Sequence, residues 1–341
     1  MRVRPDNPNL NWWGMVELVR KDAGYQPVRA PGKWRSKFLD GAAWRFTQPA
    51  GIEIRFESNT TFLSIEWFQE SEGLMDCWEV VRDGELIGSV KTEGRSLKRT
   101  CSFGAIAGGD ARWEIRLPWS TVVELVSFDI DDGATLAPWS PHPGKGTIAC
   151  YGDSITHGYS VTRPSLTWPY LLQAETDRRT LNFGLGGAAF CEREVGEYVA
   201  SRNDWDSIVI AAGINTAGSG SESAKDFDRR YDAFLDVLRK KHPDRPILCY
   251  TPMFFIDGDS DANWKNPAGD TIEAYRDAIR IVFRRRATAG DGNLHLMDGM
   301  AVIGPHNFER LLADVVHPND EGMKHVAREV GRVMREILGR R

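Results

Sequence analysis

Cysteine is sparse and unpatterned in this 341-residue chain. The five, at positions 77, 101, 150, 191 and 249, form no Cys-x-x-Cys pair. Neither a disulfide framework nor a zinc site is expected from them. Long apolar runs are also missing, and no stretch approaches the ~20 residues needed to span a bilayer. The early arginines are not followed by the apolar run of roughly 7–15 residues that marks a secretory signal. A cytoplasmic protein with no membrane partner is therefore the expectation. Positive charge is not in excess either. The net charge is -5, and a split at residue 140 gives Lys+Arg 17 against Asp+Glu 20, then 26 against 28. A nucleic-acid groove needs a basic surface, so nucleic acid is not an expected partner.

The chain does carry enough apolar residues, 41%, to build a core, and its length suits two domains. Tryptophan is unevenly spread: nine of the 12 lie before residue 140. Between about 36 and 131, short alternating or apolar runs at 36–46, 51–58, 60–68, 75–84, 85–92, 111–119 and 122–131 are separated by Gly, Asn and Asp. Such a series predicts an all-β sandwich of jelly-roll kind. Residues 137–144 hold three prolines and a glycine and predict a stiff linker. The expected domains are 1–140, a β-sandwich, and 141–341.

Beyond the linker the period changes. Apolar strands are expected at 147–151, 180–183, 207–212, 246–250 and 293–297. Helical faces are expected through Phe227, Tyr231, Phe234, Leu235 and Leu238, through Ile272, Tyr275, Ile279 and Val282, and through Met323, Val326, Val330, Val333 and Ile337. Alternating strand and helix predict a doubly wound α/β domain with a five-stranded parallel sheet. Ligands bind such sheets beyond the carboxyl ends of the strands. There the sequence places Ser154 between Gly152 and Gly158, the glycines 184, 186 and 187, Asn215, and Asp314 three residues before His317. A serine after a strand is also a common helix cap, and an Asp-x-x-His pair a common surface ion pair. Together, however, the four elements supply a nucleophile, two oxyanion donors, and a base with its orienter, which is the set needed for acyl transfer.

These residues resemble the SGNH (GDSL-type) hydrolases over roughly 147–338. The matching blocks are Gly152-Asp153-Ser154, a glycine after the second strand, Gly213-x-Asn215, and Asp314-x-x-His317-Pro318. The resemblance implies Ser154 as nucleophile, His317 as base and Asp314 as its orienter. It implies an oxyanion hole from the Ser154 backbone N–H, the Gly187 N–H (Gly186 as fallback) and the Asn215 side chain. It implies no metal and no cofactor. One departure is Thr216, where the family usually has Asp, which puts the support of that loop in question. His157 in the nucleophile loop and Trp264 in a polar insert at 253–270 are candidate substrate contacts.

Two other motifs fail on their own terms. Gly184-x-Gly186-x-x-Ala189 mimics a dinucleotide fingerprint, but Asp204 and Asp206 precede the next strand where an acidic residue should end it. Asp257, Asp259 and Asp261 open like a calcium loop, but Ala262 and Ala268 stand where Gly and Glu are required. The Trp-rich half resembles carbohydrate-binding modules, and its start resembles the front of two-domain SGNH esterases. Filling a sandwich core or an interface is the preferred use of its tryptophans. The expected function is a serine esterase acting on a small-molecule or carbohydrate ester. The first alternative is an acyltransferase that moves an acyl group from a thioester or ester to a hydroxyl. The second is a carbohydrate-binding protein with an inactive catalytic half.

Overall fold

The computed structural model describes residues 1–70, 76–104, 108–141 and 144–339. Residue 75 of one expected strand and residues 142 and 143 of the expected linker lie outside the described residues. The chain forms two compact units. One comprises Met1–Gly32, Phe46–Pro143 and Val161–Ser165, and the other Lys33–Arg45, Gly144–Ser160 and Leu166–Arg341.

The first unit is a pair of antiparallel sheets. One runs in the order Glu17–Arg20, Tyr25–Val28, Val122–Ile130, Leu63–Glu70, Arg95–Phe103, with Arg2–Val3 added on Val122–Ile130. The other runs Ala137–Pro138, Glu53–Ser58, Ala111–Arg116, Cys77–Arg82, Glu85–Lys91, with Asn11–Trp13 added on Glu53–Ser58. Period-two alternation builds the layers. Along Ala111–Arg116, Ala111, Trp113 and Ile115 enter the core, while Glu114 on the opposite face pairs with Arg55 and Arg116. Phe56 and Val80 of one sheet share that core with Ile65 and Leu125 of the other. Trp67, Trp78, Trp113 and Trp119 are fully buried, and the rings of Trp67 and Trp78 meet at 5.2 Å. Large aromatic area in the core is what Trp67, Trp78 and Trp113 supply.

One expected strand is corrected. The run 36–46 is partly helical, with short helices at Gly32–Arg35 and Asp40–Arg45. Ala42 is the buried residue of the second helix, Asp40 places negative charge in its first turn, and Phe38 is buried just before it. Lys33–Arg45 belongs to the α/β unit, where Trp34 and Phe38 pack on Tyr198 with ring centroids 5.8 and 6.0 Å away.

The second unit holds five parallel strands: β1 (Thr147–Gly152), β2 (Arg179–Gly184), β3 (Ser207–Ala211), β4 (Ile247–Tyr250) and β5 (Leu294–Met297). Their order is β2-β1-β3-β4-β5, the flavodoxin-like doubly wound arrangement. Ile148–Tyr151, Ile208–Ile210 and Leu248–Cys249 are completely buried, as expected of a parallel sheet with covered faces. The helices Ala224–Lys241, Ile272–Thr288 and Asp320–Leu338 bury the apolar faces expected of them, except that Met334 and not Val333 is the fully buried residue of the last. In register, Gly152 stands opposite Gly184 on one side and Ala211 on the other. The loops after β1, β2 and β3 therefore leave the sheet side by side. Among the described residues, no helix is long and apolar enough to cross a membrane.

Candidate active site

β1 ends at Gly152, and the chain turns at once into the short helix Ser154–His157. Asp153 caps this helix by accepting the Ile155 N–H at 2.9 Å. Burial pushes the Asp153 carboxyl up to about 6, against the opposing pull of the helix N–H groups. The turn is packed tightly on the end of β2. A Cβ on Gly184 would stand 2.2 Å from the His157 backbone nitrogen, so only glycine fits there. Asn182 ties the two elements, its Nδ2 donating to Thr156 O at 2.9 Å and its Oδ1 accepting the Gly184 N–H at 2.8 Å. Ser154 is held at the first helical position with only 8% of its surface exposed.

His317 comes from the loop between the helices Phe308–Leu311 and Asp320–Leu338. Asp314 organises that loop. Its Oδ1 accepts the N–H groups of Val316 at 2.9 Å and His317 at 2.7 Å, and its Oδ2 faces His317 Nδ1 at 2.8 Å. Burial alone would raise the Asp314 pKa. The two N–H groups and the imidazole outweigh it and hold the carboxyl below its ordinary value. An ionised Asp314 fixes the proton on Nδ1, which leaves Nε2 as the acceptor. Nε2 stands 2.8 Å from Ser154 Oγ. Ser154, His317 and Asp314 thus form one hydrogen-bonded chain.

A cavity of about 430 Å³ opens above it, lined by Arg45, Ser154, Tyr159, Gly187, Asn215 and His317 among others. Asn215 lies in the first turn of the helix Ile214–Ser219, just past β3. Its Oδ1 accepts the Ala189 N–H at 3.0 Å, which orients the amide and leaves its N–H₂ to the cavity side. Thr216 is completely buried, and its hydroxyl has no partner among the described residues. The loop is braced instead by Asn215 and Ala189. Of the two candidate glycines, Gly186 has its N–H engaged by His157 Nδ1 at 3.1 Å. Among the described residues the N–H groups of Gly187 and Ser154 meet no acceptor.

The remaining sequence candidates are placed differently. His157 is fully buried and does not line the cavity; its ring faces the Gly186 N–H and meets Tyr159 edge-on at 5.6 Å. Two residues further on, Tyr159 lines the cavity and stacks on His317 at 5.7 Å, a contact that sequence reasoning missed. Trp264 packs edge-on against Phe255 at 5.5 Å, and of the two it is Phe255 that lines the cavity. Asp259 is taken up by the buried Arg276, with oxygens 2.6 and 2.7 Å from its guanidinium. Arg45 was also missed. It falls in a run read as a strand, and nothing in its neighbours marks it.

Residues 150–325 match the model of the GDSL-like Lipase/Acylhydrolase family. The chain belongs to this family. It is accordingly an esterase or acyltransferase enzyme with the SGNH fold. No curated protein matches it significantly in sequence. Among solved structures, it is similar to the salicylyl-acyltransferase SsfX3 from a tetracycline biosynthetic pathway. That match has a TM-score of 0.87 at 24% identity, over 99% of this chain and 97% of the other. A putative GDSL-like lipase from Bacteroides ovatus matches with a TM-score of 0.78 at 20% identity, over 97% and 98%. A family two carbohydrate esterase from Clostridium thermocellum, solved with cellohexaose, matches with a TM-score of 0.66 at 14% identity, over 85% and 93%. At these identities the likeness is one of fold, and it extends to the N-terminal sandwich as well as the α/β unit.

Proposed function

We propose that the protein is a serine esterase whose nucleophile is Ser154. The observation that carries this reading is the hydrogen-bonded chain from Ser154 Oγ through His317 to Asp314, at 2.8 Å for each link to the imidazole. A serine hydroxyl is a weak nucleophile and needs a base within hydrogen-bond reach. In this reading His317 Nε2 takes the hydroxyl proton as Oγ attacks the ester carbonyl. The imidazolium, steadied by Asp314, then protonates the departing alcohol and leaves an acyl group on Ser154. Water, deprotonated by the same imidazole, attacks the acyl-enzyme and releases the acid. The negative oxygen of each tetrahedral intermediate meets the Ser154 N–H, the Gly187 N–H and the Asn215 N–H₂. Preorganised donors of this kind are worth ~2.7–4 kcal/mol each. No metal or cofactor is needed for these steps. The cavity volume suits a small ester or a sugar-sized alcohol portion.

A second reading has support from the whole-chain likeness to an acyltransferase. The acyl-enzyme is shared, and an acceptor hydroxyl replaces water in its breakdown, with an ester or thioester as donor. A panel of aryl acetates and butyrates, read with and without added alcohols and sugars, separates the two. Rapid turnover in water alone supports the esterase. A slow acyl-enzyme cleared only by an acceptor hydroxyl supports the transferase. Sugar binding without turnover of any ester sinks both and leaves a carbohydrate-binding protein. A cytoplasmic location remains our reading of the sequence, tested by fractionating cells that express the full chain.

A further inference from the structure

Residues Leu185–Ala188 form a four-residue turn, closed by the Ala188 N–H donating to Leu185 O at 2.9 Å. Gly187, its third residue, has φ +71°, while Gly186 is not in the positive-φ region. This is the signature of a type II turn. Type I and type II turns differ by a flip of the central peptide, which here joins the Gly186 carbonyl to the Gly187 N–H. A glycine at the third position accepts either sign of φ. Local sterics therefore leave both orientations open. Because C=O and N–H point in opposite directions across a trans peptide, a flip would turn the Gly187 N–H to the other face of the turn.

The carbonyl end of this peptide is gripped. Arg45 Nε donates to Gly186 O at 2.6 Å, and its guanidinium sits over the Tyr159 ring, 5.7 Å from the centroid. The peptide before it is held as well, through the Gly186 N–H on His157 Nδ1. We propose that Arg45 is a positioning residue that locks the Gly186–Gly187 peptide so that the Gly187 N–H faces the reacting carbonyl. A cationic donor on the carbonyl also polarises the amide and makes its N–H a stronger donor. This inference rests on Gly187 serving in the oxyanion hole of the proposed esterase.

The test compares wild type, Arg45→Ala and Arg45→Lys on an aryl ester, with the Gly187 amide followed by NMR in ¹⁵N-glycine-labelled protein. Arg45→Ala should lower kcat about 10–100-fold, less than loss of a donor outright, because the Ser154 N–H and Asn215 remain. KM should stay within about twofold. Added guanidinium ion should restore part of kcat, Arg45→Lys should lie between the two, and the Gly187 amide signal should shift or broaden in both variants. An unchanged kcat in Arg45→Ala, or a raised KM with kcat intact, overturns the inference. Wild type without Ser154-dependent turnover overturns the esterase reading and this inference together. Turnover that survives fully in Arg45→Ala overturns this inference alone.

Discussion

His317 Nε2 and Ser154 Oγ stand 2.8 Å apart although 163 residues separate them in sequence. The parallel sheet brings them together: Ser154 leaves the interior strand β1, between β2 and β3, and His317 sits in the loop before the C-terminal helix, which packs beside the helix Trp168–Thr176. The predictions below follow from that contact and from the groups that support it.

Asp314 holds the imidazole through its ring nitrogen and the loop through two N–H groups. Asp314→Asn keeps the size but loses the charge that fixes the Nδ1 proton. Steady-state kinetics should show kcat lower by roughly 10²–10⁴-fold with a smaller change in KM.

Asn215 presents its amide to the cavity while Ala189 holds its oxygen. Asn215→Ala should lower kcat by about 10²–10³-fold, the usual cost of one oxyanion donor. An effect confined to KM would point to ground-state binding instead.

Gly184 lies against the backbone of His157. Gly184→Ala should force the nucleophile turn away from β2 and destabilise the protein by about 1–3 kcal/mol. Denaturant titration measures this, and a stability equal to wild type would contradict the packing described.

Glu192 is buried, and burial pushes its carboxyl up to about 7 even though the Leu39 N–H donates to it at 3.0 Å. A folded-state pKa above the unfolded value means that the protonated form is favoured on folding. That contribution is fully present below the ordinary carboxylate range and is lost as pH rises through about 7. Glu192→Gln removes the titration. Its Tm should exceed that of wild type at about pH 8, and the difference should shrink toward about pH 5. A pH-independent difference would show that Glu192 does not titrate in this window.

Much of this was legible in the sequence, for definite reasons. Parallel strands buried on both faces read as apolar runs, so β1 to β5 were located to within a residue or two. Ser154, Asn215, Asp314 and His317 stood at strand ends or in a short loop, where local spacing carries the information. Arg45 and Tyr159 did not show. Arg45 lies in a helix whose alternation mimics a strand, more than 100 residues before the motifs it adjoins. Tyr159 was masked by His157, which looked the better candidate until its burial left the cavity wall to its neighbour. The tryptophans of the N-terminal half proved informative about packing, with Trp67, Trp78 and Trp113 filling the sandwich core.

The most direct test is intact-mass spectrometry after treatment with a fluorophosphonate, followed by peptide mapping, on wild type and Ser154→Ala. A single adduct on Ser154 in wild type, none in Ser154→Ala, and loss of ester turnover in both the labelled protein and the variant are the predicted results. Ester turnover at near wild-type rate in Ser154→Ala, or an adduct that maps to another residue, would contradict the assignment of Ser154 as nucleophile.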